Sequence, residues 1–420
     1  MSRVLKIMIV LLAIAAMAAP SVFAEDRLSL SGEMRVRGWY KDFDLDNTDS
    51  FMDQRLRVFG NIAVAEGVKI QFRTDITETI WGDGGSSYGS GRMASTQQWD
   101  RAYLDLTKGA WHLRAGQQYV GYGLAQTVNS QDAGISFDYK GAVKLSGFWL
   151  LSDQHTDSAT SFVNGPPSDA YVYGANVAYK TDAYAANLFF AGQTEETAVG
   201  ENVYMIGADV TTNIQAVKLQ AEFNYFTGDA SDIAGTTIDA IGTQFMLEAS
   251  MAATETLTVG GQFYYAQGTD DPTEKQYTYL GNDFNGYDPL FDLGTNLHDE
   301  KIMFGRPFDL LGSLVDSGFG AANEFTAAET AAARNSGAIG GRIYALAKAS
   351  DTVNFGGSFA YMEPEQDIDG FDSAMFYAVS MTYALMANTS LQAQLQYVDV
   401  DADIEKDTAV LGGVGLYVNF

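Results

Sequence analysis

Residues 408–420, at the C-terminal end, constrain the fold more than any other stretch of the sequence. Apolar residues occupy every second position and small or polar residues lie between them, as in Val414, Gly415, Leu416, Tyr417 and Val418. This alternation is typical of a strand with one face toward lipid and the other toward water. Because a bilayer cannot hydrogen-bond an open sheet edge, such strands must close into a barrel.

The same alternation recurs along the chain and predicts about eighteen strands. The predicted strands lie near 28–40, 52–64, 68–77, 98–107, 111–118, 134–140, 143–151, 171–180, 183–191, 202–211, 214–226, 238–249, 256–267, 338–348, 352–362, 373–384, 389–398 and 408–420. The predicted fold is therefore an all-β, antiparallel, up-and-down transmembrane barrel. Sixteen to eighteen strands leave an aqueous interior unless a segment fills it.

The predicted connections support this topology. Those after even-numbered strands are short, such as 65–67 and 141–142, whereas those after odd-numbered strands include 78–97, 119–133 and 268–337. Outer-membrane barrels have short periplasmic turns and longer extracellular loops.

One predicted extracellular loop, 268–337, is far longer than an ordinary connection. Its segments 308–315 and 323–334 have helical spacing, so the loop is predicted to be partly helical. Two interpretations remain open. The segment folds into the mouth as a lid or constriction, or it lies over the rim as a surface loop.

The N-terminal segment 1–24 has the pattern of a cleaved signal peptide. Two basic residues, Arg3 and Lys6, precede a short apolar run, and a small-residue cleavage pattern ends at Ala24. The barrel is accordingly predicted to comprise 25–420 and to reside in the bacterial outer membrane after export through the inner membrane.

Composition excludes several classes of function. The chain has no cysteine and a formal net charge of −28. Disulfide frameworks, thiolate metal sites and attached c-type haem are excluded, and nucleic acid is a poor partner for so acidic a chain. No arrangement of the three histidines with a nucleophile indicates an enzyme. We predict no catalytic residues and no cofactor.

The predicted inner face is rich in charge on the first five strands. The candidate pore-lining and selectivity residues are the cations Arg35, Arg37, Arg55, Arg57, Lys69, Arg73, Arg101 and Arg114, interleaved with Glu33, Asp53, Asp75, Asp105 and Asp138. Guanidinium groups hold carboxylates in a fork, so a row of them offers successive weak sites to an anionic solute. The alternative is that these arginines pair with the adjacent acids and only brace the wall.

Two acidic clusters are predicted to lie close together, because the first and last strands must be neighbours. They contain the candidate calcium ligands Asp42, Asp44, Asp46, Asp399, Asp401 and Asp403. Calcium binds several carboxylate oxygens. Neither cluster has the glycine and distal glutamate of a calcium loop, so solvated acidic loops are the alternative.

Residues 101–138 resemble the alginate-export family of outer-membrane barrels. The similarity rests on Arg-Ala-Tyr-Leu-Asp-Leu at 101–106, Leu-Arg-Ala-Gly-Gln-Gln at 113–118, Tyr-Gly at 122–123 and Ser-Phe-Asp at 136–138. The resemblance implies an eighteen-stranded barrel with an arginine-rich lumen that passes anionic sugars or other small solutes. It points to Arg101, Asp105, Arg114, Gln118 and Asp138, whereas Gln117 replaces a second arginine of the family pattern.

The sequence therefore predicts an outer-membrane porin, a diffusion channel for small hydrophilic and preferentially anionic solutes. Its expected surroundings are outer-membrane lipid and lipopolysaccharide. Two alternatives stay open: an exporter of an acidic exopolysaccharide with a periplasmic partner, and a barrel that forms a sleeve around a cytochrome in an electron conduit.

Overall fold

A computed structural model of the chain describes residues 27–43, 48–81, 97–124, 127–154, 169–195, 200–233, 236–281, 336–367, 371–401 and 407–420. Within these ranges the regular structure is β-strand. No helix in them is long and apolar enough to cross a membrane. The predicted signal peptide and the predicted helical segments 308–315 and 323–334 lie outside the described residues.

The described residues form nineteen strands that follow one another in sequence. They are β1 (Leu28–Phe43), β2 (Asp49–Ala65), β3 (Val68–Ile80), β4 (Gln98–Lys108), β5 (Trp111–Tyr122), β6 (Val128–Lys140), β7 (Lys144–Gln154), β8 (Asp169–Lys180), β9 (Tyr184–Glu195), β10 (Asn202–Ile214), β11 (Val217–Ile233), β12 (Thr236–Ala252), β13 (Leu257–Ala266), β14 (Glu274–Gln276), β15 (Ala338–Lys348), β16 (Val353–Glu363), β17 (Ser373–Met386), β18 (Thr389–Asp401) and β19 (Asp407–Asn419).

Eighteen of these strands form one closed antiparallel barrel. Each pairs with its neighbours in sequence, β13 pairs with β15, and β1 pairs with both β2 and β19. Gly32 and Phe420 exchange two backbone hydrogen bonds, of 2.8 and 3.0 Å, where the chain closes on itself. The short strand β14 lies outside this count and pairs in parallel with β12. The prediction of an all-β, eighteen-strand barrel is confirmed.

The two ends of the barrel differ in their connections. At one end the strands are joined by turns such as 66–67, 109–110, 215–216 and 387–388. In barrels of this kind the short-turn end is periplasmic. We use periplasmic end and loop end in this sense below.

The outer surface of the barrel is apolar. Side chains at alternate positions, including Trp149, Leu188, Phe223, Ile343 and Val414, are exposed on it. This surface has no partner within the described residues, and lipid is the environment in which it is stable.

The inner surface is less uniformly polar than the sequence predicts. Gln392, Gln394 and Gln396 face inward on β18, but Val398 follows them toward the loop end and belongs to a buried apolar cluster. That cluster also includes Phe376 and Tyr417 on the flanking strands. Part of the interior is therefore packed rather than open.

The largest local difference from the sequence prediction concerns 119–133, which is wrong as a long loop. Strand β5 runs to Tyr122 and β6 begins at Val128, so the connection between them is short. The two strands instead continue as a hairpin that leaves the barrel wall and enters the interior. They stay paired with each other past the points where β5 stops pairing with β4 and β6 stops pairing with β7.

Candidate solute pathway

The candidate pathway begins with the charged inner wall of β1 to β5. Register places Glu33 opposite Arg57, Arg35 opposite Arg55, and Arg37 opposite Asp53 on the face that points into the barrel. On the next strands Lys69 lies opposite Asp105, and Asp105 lies opposite Arg114. All thirteen candidate wall residues lie on described strands and share this inward face.

Arg37 and Asp53 form the most buried ion pair of this wall. The guanidinium donates from Nε and Nη2 to the two carboxylate oxygens at 2.8 and 2.5 Å, and only 2% of Arg37 is exposed. Trp39 Nε1 donates to the same carboxylate at 3.1 Å, and the guanidinium carbon lies 4.9 Å from the Trp39 ring centroid. This pair is fixed by two bonds and a cation–π contact.

A second fork joins β2 to β3. Arg57 donates to the two oxygens of Asp75 at 2.6 and 2.7 Å. Its Nη2 also lies 3.5 Å from Asp100, which forms an ion pair with Arg73. Two arginines and two aspartates make up this group, so its formal charge is balanced.

Nearer the loop end, two arginines share Glu78. Arg35 donates to it at 2.8 Å, and Arg55 lies 3.7 Å from the same oxygen while donating to Glu33 at 2.8 Å. Each arginine retains N–H donors beyond those used here, since a guanidinium carries five.

At the periplasmic end, His112 lies between two acids. Its Nε2 is 3.0 Å from Asp105 Oδ1, and its Nδ1 is 3.4 Å from Asp138 Oδ2. Gln71 donates to the second oxygen of Asp105 at 2.9 Å, and Lys144 lies 3.1 Å from Asp138. Asp105 is thus engaged by His112 and Gln71 and not by its opposite neighbours Lys69 and Arg114.

Lys69 and Arg114 consequently differ from the other wall cations. Within the described residues neither forms an ion pair, and Nε of Arg114 has no hydrogen-bond partner. Arg114 is therefore a wall arginine that forms no ion pair within the described residues, although Asp105 lies opposite it in the ladder.

The β5–β6 hairpin crosses the interior of the barrel. Pairing of β4 with β5 ends at Ala102 and Gln117, and pairing of β6 with β7 ends at Ala133 and Leu151. Pairing of β5 with β6 continues for five residues on each strand, to Tyr122 and Val128. We call residues 118–124 and 127–132 the inner hairpin.

One face of the inner hairpin contacts the basic wall. Arg101 lies with its guanidinium carbon 4.9 Å from the ring centroid of Tyr119. Arg73 donates to Gln131 at 3.2 Å, and Gln131 donates to Asp100. By alternation alone, Tyr119 and Gln131 belong to the outward face; the inward bend of the hairpin turns them toward the arginines.

The opposite face of the inner hairpin is apolar and packs against the wall of β7 to β12. Tyr122 contacts Phe148 and Phe189 with ring centroids 5.3 and 6.2 Å apart. Val120 and Val128 are buried in the same cluster. Full burial of each valine contributes about 1.5–3 kcal/mol, so the hairpin is a packed element.

The hairpin tip is held by a buried polar network on the far wall. Thr127 donates to Glu222 at 2.7 Å and accepts from Asn224 at 2.9 Å. Asn224 also donates to Glu222 and Gln244, at 2.7 and 3.0 Å. Gly123 has φ of +85°, and a Cβ there would lie 2.6 Å from the Glu222 carboxylate. The tip therefore closes directly on this acid.

The beginning of the predicted long loop also lies inside the barrel. After β14, Leu280 exchanges backbone hydrogen bonds of 2.8 and 2.9 Å with Thr127 and Asn129, and Gly281 donates to Gln193 at 3.1 Å. Residues 274–281 thus run from β12 to the inner hairpin. Residues 282–335 lie outside the described residues, so the role of 268–337 as a lid stays a prediction.

A cavity of about 320 Å³ adjoins the basic wall on the periplasmic side of these arginine pairs. Its lining includes Ser29, Ser31, Phe59, Asn61, Gln71, Arg73, Arg101 and Tyr103. Arg73 and Arg101 therefore contact both the inner hairpin and an open polar space.

Sequence reasoning missed four residues of this site. Glu78 and Asp100 face inward because β-bulges near Arg57 and Arg73 each insert one residue and reverse the alternation. Tyr119 and Gln131 join the site because the hairpin leaves the wall. A strict period of two detects neither effect; the glycines at 116 and 134 are the signal that could have indicated the bend.

The candidate calcium ligands are only partly described. Asp42 accepts hydrogen bonds of 2.9 Å from both Tyr40 and Thr48, and Asp399 and Asp401 lie on β18, separated from β1 by β19. Asp44, Asp46 and Asp403 lie outside the described residues. Within the described residues no cluster of histidine or acidic side chains could hold a metal ion. The six-residue calcium site therefore stays a prediction.

Comparison with known proteins supports the fold. No family model matches the chain, and no curated protein matches it in sequence. Among solved structures, the chain is similar to OccK3 (OpdO) of Pseudomonas aeruginosa, with 12% identity, a TM-score of 0.57 and coverage of 93% of this chain and 96% of that one.

Two further solved structures are similar over nearly their whole length. OccK9 (OpdG) of Pseudomonas aeruginosa has 12% identity and a TM-score of 0.58, with coverage of 95% of this chain and 99% of that one. OccAB4 of Acinetobacter baumannii has 11% identity and a TM-score of 0.53, with coverage of 94% and 99%. At these identities the similarity concerns the barrel fold.

The predicted resemblance to the alginate-export family is wrong. No family model matches the chain, and the solved barrels reported above are OccK and OccAB proteins. The residues that suggested it, including Arg101, Asp105, Arg114, Gln118 and Asp138, lie on one barrel hairpin and the strand preceding it. Short alternating segments of this kind arise in any antiparallel barrel with a polar lumen, so forty residues do not distinguish one barrel family from another. The chain shares its closed barrel fold, here of eighteen strands, with these solved structures.

Proposed function

We propose that this protein is a passive outer-membrane channel for small hydrophilic solutes, with a preference for anions. The proposal includes export by the signal peptide 1–24 and a mature barrel of 25–420 in contact with outer-membrane lipid and lipopolysaccharide. N-terminal sequencing of the purified protein is expected to begin at Glu25.

The observation that carries the anion preference is the position of Arg73 and Arg101. Both border the cavity on the basic wall and both contact the inner hairpin. Arginine stays charged at every physiological pH and retains donors after pairing, so it can bind a carboxylate or phosphate transiently. Pairing with Asp100 does not remove this capacity.

The inner hairpin favours a solute channel over a sleeve around a partner protein. Its residues contact the wall at Arg73 on one side and at Glu222 on the other, so it occupies the interior that a folded guest would need. A cytochrome in the lumen would require this packed element to unfold. Absence of Soret absorbance from protein purified from its native membrane is the corresponding expectation.

Conductance in planar lipid bilayers tests the proposal. Purified protein is expected to form stable channels, and the reversal potential in a potassium chloride gradient is expected to have the sign of chloride preference. Arg101→Gln is expected to reduce that preference. Lys108→Gln is the matched control. It removes one positive charge from the same strand, β4, but Lys108 is exposed and lies on the outward-facing side of that strand.

Two results would contradict the proposal in different ways. Absence of conductance from folded, membrane-inserted protein would rule out a channel. Cation preference in the parent protein, unchanged by Arg101→Gln, would leave a channel but rule out selection by the arginine wall.

A further inference from the structure

Six lysines surround the periplasmic end of the barrel and share one orientation. They are Lys69, Lys140, Lys144, Lys180, Lys218 and Lys348, and all six are exposed. Each lies beside a short turn, in the register of residues that face inward. Lys69 lies opposite Asp105, and Lys144 lies opposite both Lys140 and Ala178. We call these six residues the lysine collar.

The collar contains a like-charge pair that the fold places in direct register. Lys140 and Lys144 are cross-strand neighbours on β6 and β7. Lys144 lies 3.1 Å from Asp138, but Lys140 forms no ion pair within the described residues. Like charges directly opposite one another destabilise a sheet, and within the described residues Asp138 compensates only Lys144 of this pair.

Among the remaining members of the collar, Lys348 has a partner of opposite charge within the described residues. Lys348 lies 2.8 Å from Asp351 and lowers the pKa of that carboxyl. Lys180 and Lys218 form no ion pair among the described residues, although the turns carry exposed acids such as Asp182. The collar therefore keeps most of its positive charge.

The loop end of the barrel has the opposite charge. Asp42, Asp169, Glu195, Glu363 and Asp399 lie near the strand ends there, whereas the lysines that the described strands carry at that end are Lys41 and Lys275. The chain as a whole has a net charge of −28. The lysines are thus concentrated at one mouth although the chain as a whole is acidic. The charge of the described strand ends therefore changes from positive to negative along the barrel axis.

We propose that the lysine collar is a binding site for small multivalent anions, molecules that carry several phosphate or carboxylate groups, at the periplasmic mouth. This proposal rests on the proposed function as a channel. It adds a binding site and assigns that site to the periplasmic side of the barrel. A single exposed ion pair is weak, but several ammonium groups at the same mouth raise the local concentration of a polyanion. A multivalent ligand can engage Lys140, Lys144 and Lys180 together, because their strands are adjacent.

The test uses inositol hexakisphosphate with the intact channel inserted in one orientation in a planar bilayer. Added on the periplasmic side, the probe is expected to block current at low salt; added on the loop side, it is expected to have little effect. The double variant Lys140→Gln/Lys180→Gln is expected to weaken block by about tenfold or more. Lys144 is retained because it pairs with Asp138.

A second measurement and a matched control separate the outcomes. Titration calorimetry of the detergent-solubilised protein measures binding of the same probe independently of conductance. Binding is expected to disappear in 1 M salt, where the Debye length is only about 3 Å. Lys108→Gln is the control. Conducting channels that bind the probe equally with and without Lys140 and Lys180, or that are blocked equally from both sides, would overturn the collar while leaving the channel intact. Absence of conductance would instead contradict the proposed function.

Discussion

Gly116 and Gly134 lie directly opposite each other in the ladder between β5 and β6, at the level where both strands part from the barrel wall. Gly116 has φ of +129°, and a Cβ there would lie 2.5 Å from the Ala102 carbonyl oxygen. A Cβ on Gly134 would lie 2.1 Å from the Trp149 carbonyl oxygen. The bend that brings the inner hairpin into the barrel therefore depends on two residues without side chains.

Gly116→Ala is expected to destabilise the inner hairpin. An L-residue at this φ costs about 1–3 kcal/mol, and the added methyl group contacts the backbone of β4. We expect a lower midpoint of thermal unfolding and a changed single-channel conductance, because the hairpin no longer occupies its position. Gly38→Ala is the control, since a Cβ at Gly38 meets no atom within 4 Å. Equal behaviour of the two variants would show that the glycine pair does not direct the bend.

Thr127→Val tests how the hairpin tip is fastened. The substitution keeps the side-chain shape but removes the hydroxyl that bonds Glu222 and Asn224. Loss of a buried hydrogen bond to a charged group costs about 1–3 kcal/mol. Because the tip is then held mainly by its apolar face, we expect noisier single-channel currents with brief openings to higher conductance.

Thr256→Val is the matched control for the tip, because Thr256 lies exposed in a turn. Restoration of quiet currents by a disulfide in Thr127→Cys/Asn224→Cys would support the same interpretation, and the absence of native cysteine makes that pair unambiguous. Quiet currents of unchanged size in Thr127→Val would mean that the polar network does not restrain the hairpin.

Asp53→Leu is expected to be more damaging than the double variant Arg37→Met/Asp53→Leu. The single change leaves the guanidinium of Arg37, 2% exposed, without its carboxylate. An uncompensated buried charge costs about 3–5 kcal/mol, whereas replacing both partners by apolar groups is often neutral. Urea unfolding followed by tryptophan fluorescence measures both variants. A double variant as unstable as the single one would mean that the ion pair itself stabilises the wall.

The sequence determined the barrel more completely than the site. Alternation in stretches such as 408–420 identified every strand of the barrel, because lipid outside and polar groups inside impose a period of two on each strand. The inward direction of Arg37, Arg57 and Arg114 followed from the same period. These predictions needed only local information.

The site required information that the alternation does not contain. Bulges reversed the direction of Glu78 and Asp100, and the bend at Gly116 turned Gln131 from the outer face to the arginine wall. Contacts across the barrel, such as Thr127 with Glu222, join residues that are 95 positions apart. The choice between bracing and binding by the arginines also depended on individual pairings, which composition cannot supply.

Arg57→Met and Arg114→Met separate these two roles on the same wall. Arg57 forms a fork with Asp75, whose side chain is 6% exposed, so its loss leaves a buried carboxylate and is expected to destabilise the barrel by about 3 kcal/mol or more. Arg114 forms no ion pair within the described residues, so its loss is expected to change stability by about 0.5 kcal/mol at most.

The unmatched charge of Arg114 should instead matter to permeating anions, and we expect Arg114→Met to shift the reversal potential away from chloride preference. Urea unfolding and bilayer recordings on both variants measure the two effects. An Arg114→Met channel with unaltered selectivity, or one that is as unstable as Arg57→Met, would contradict the division of this wall into bracing pairs and a free cation.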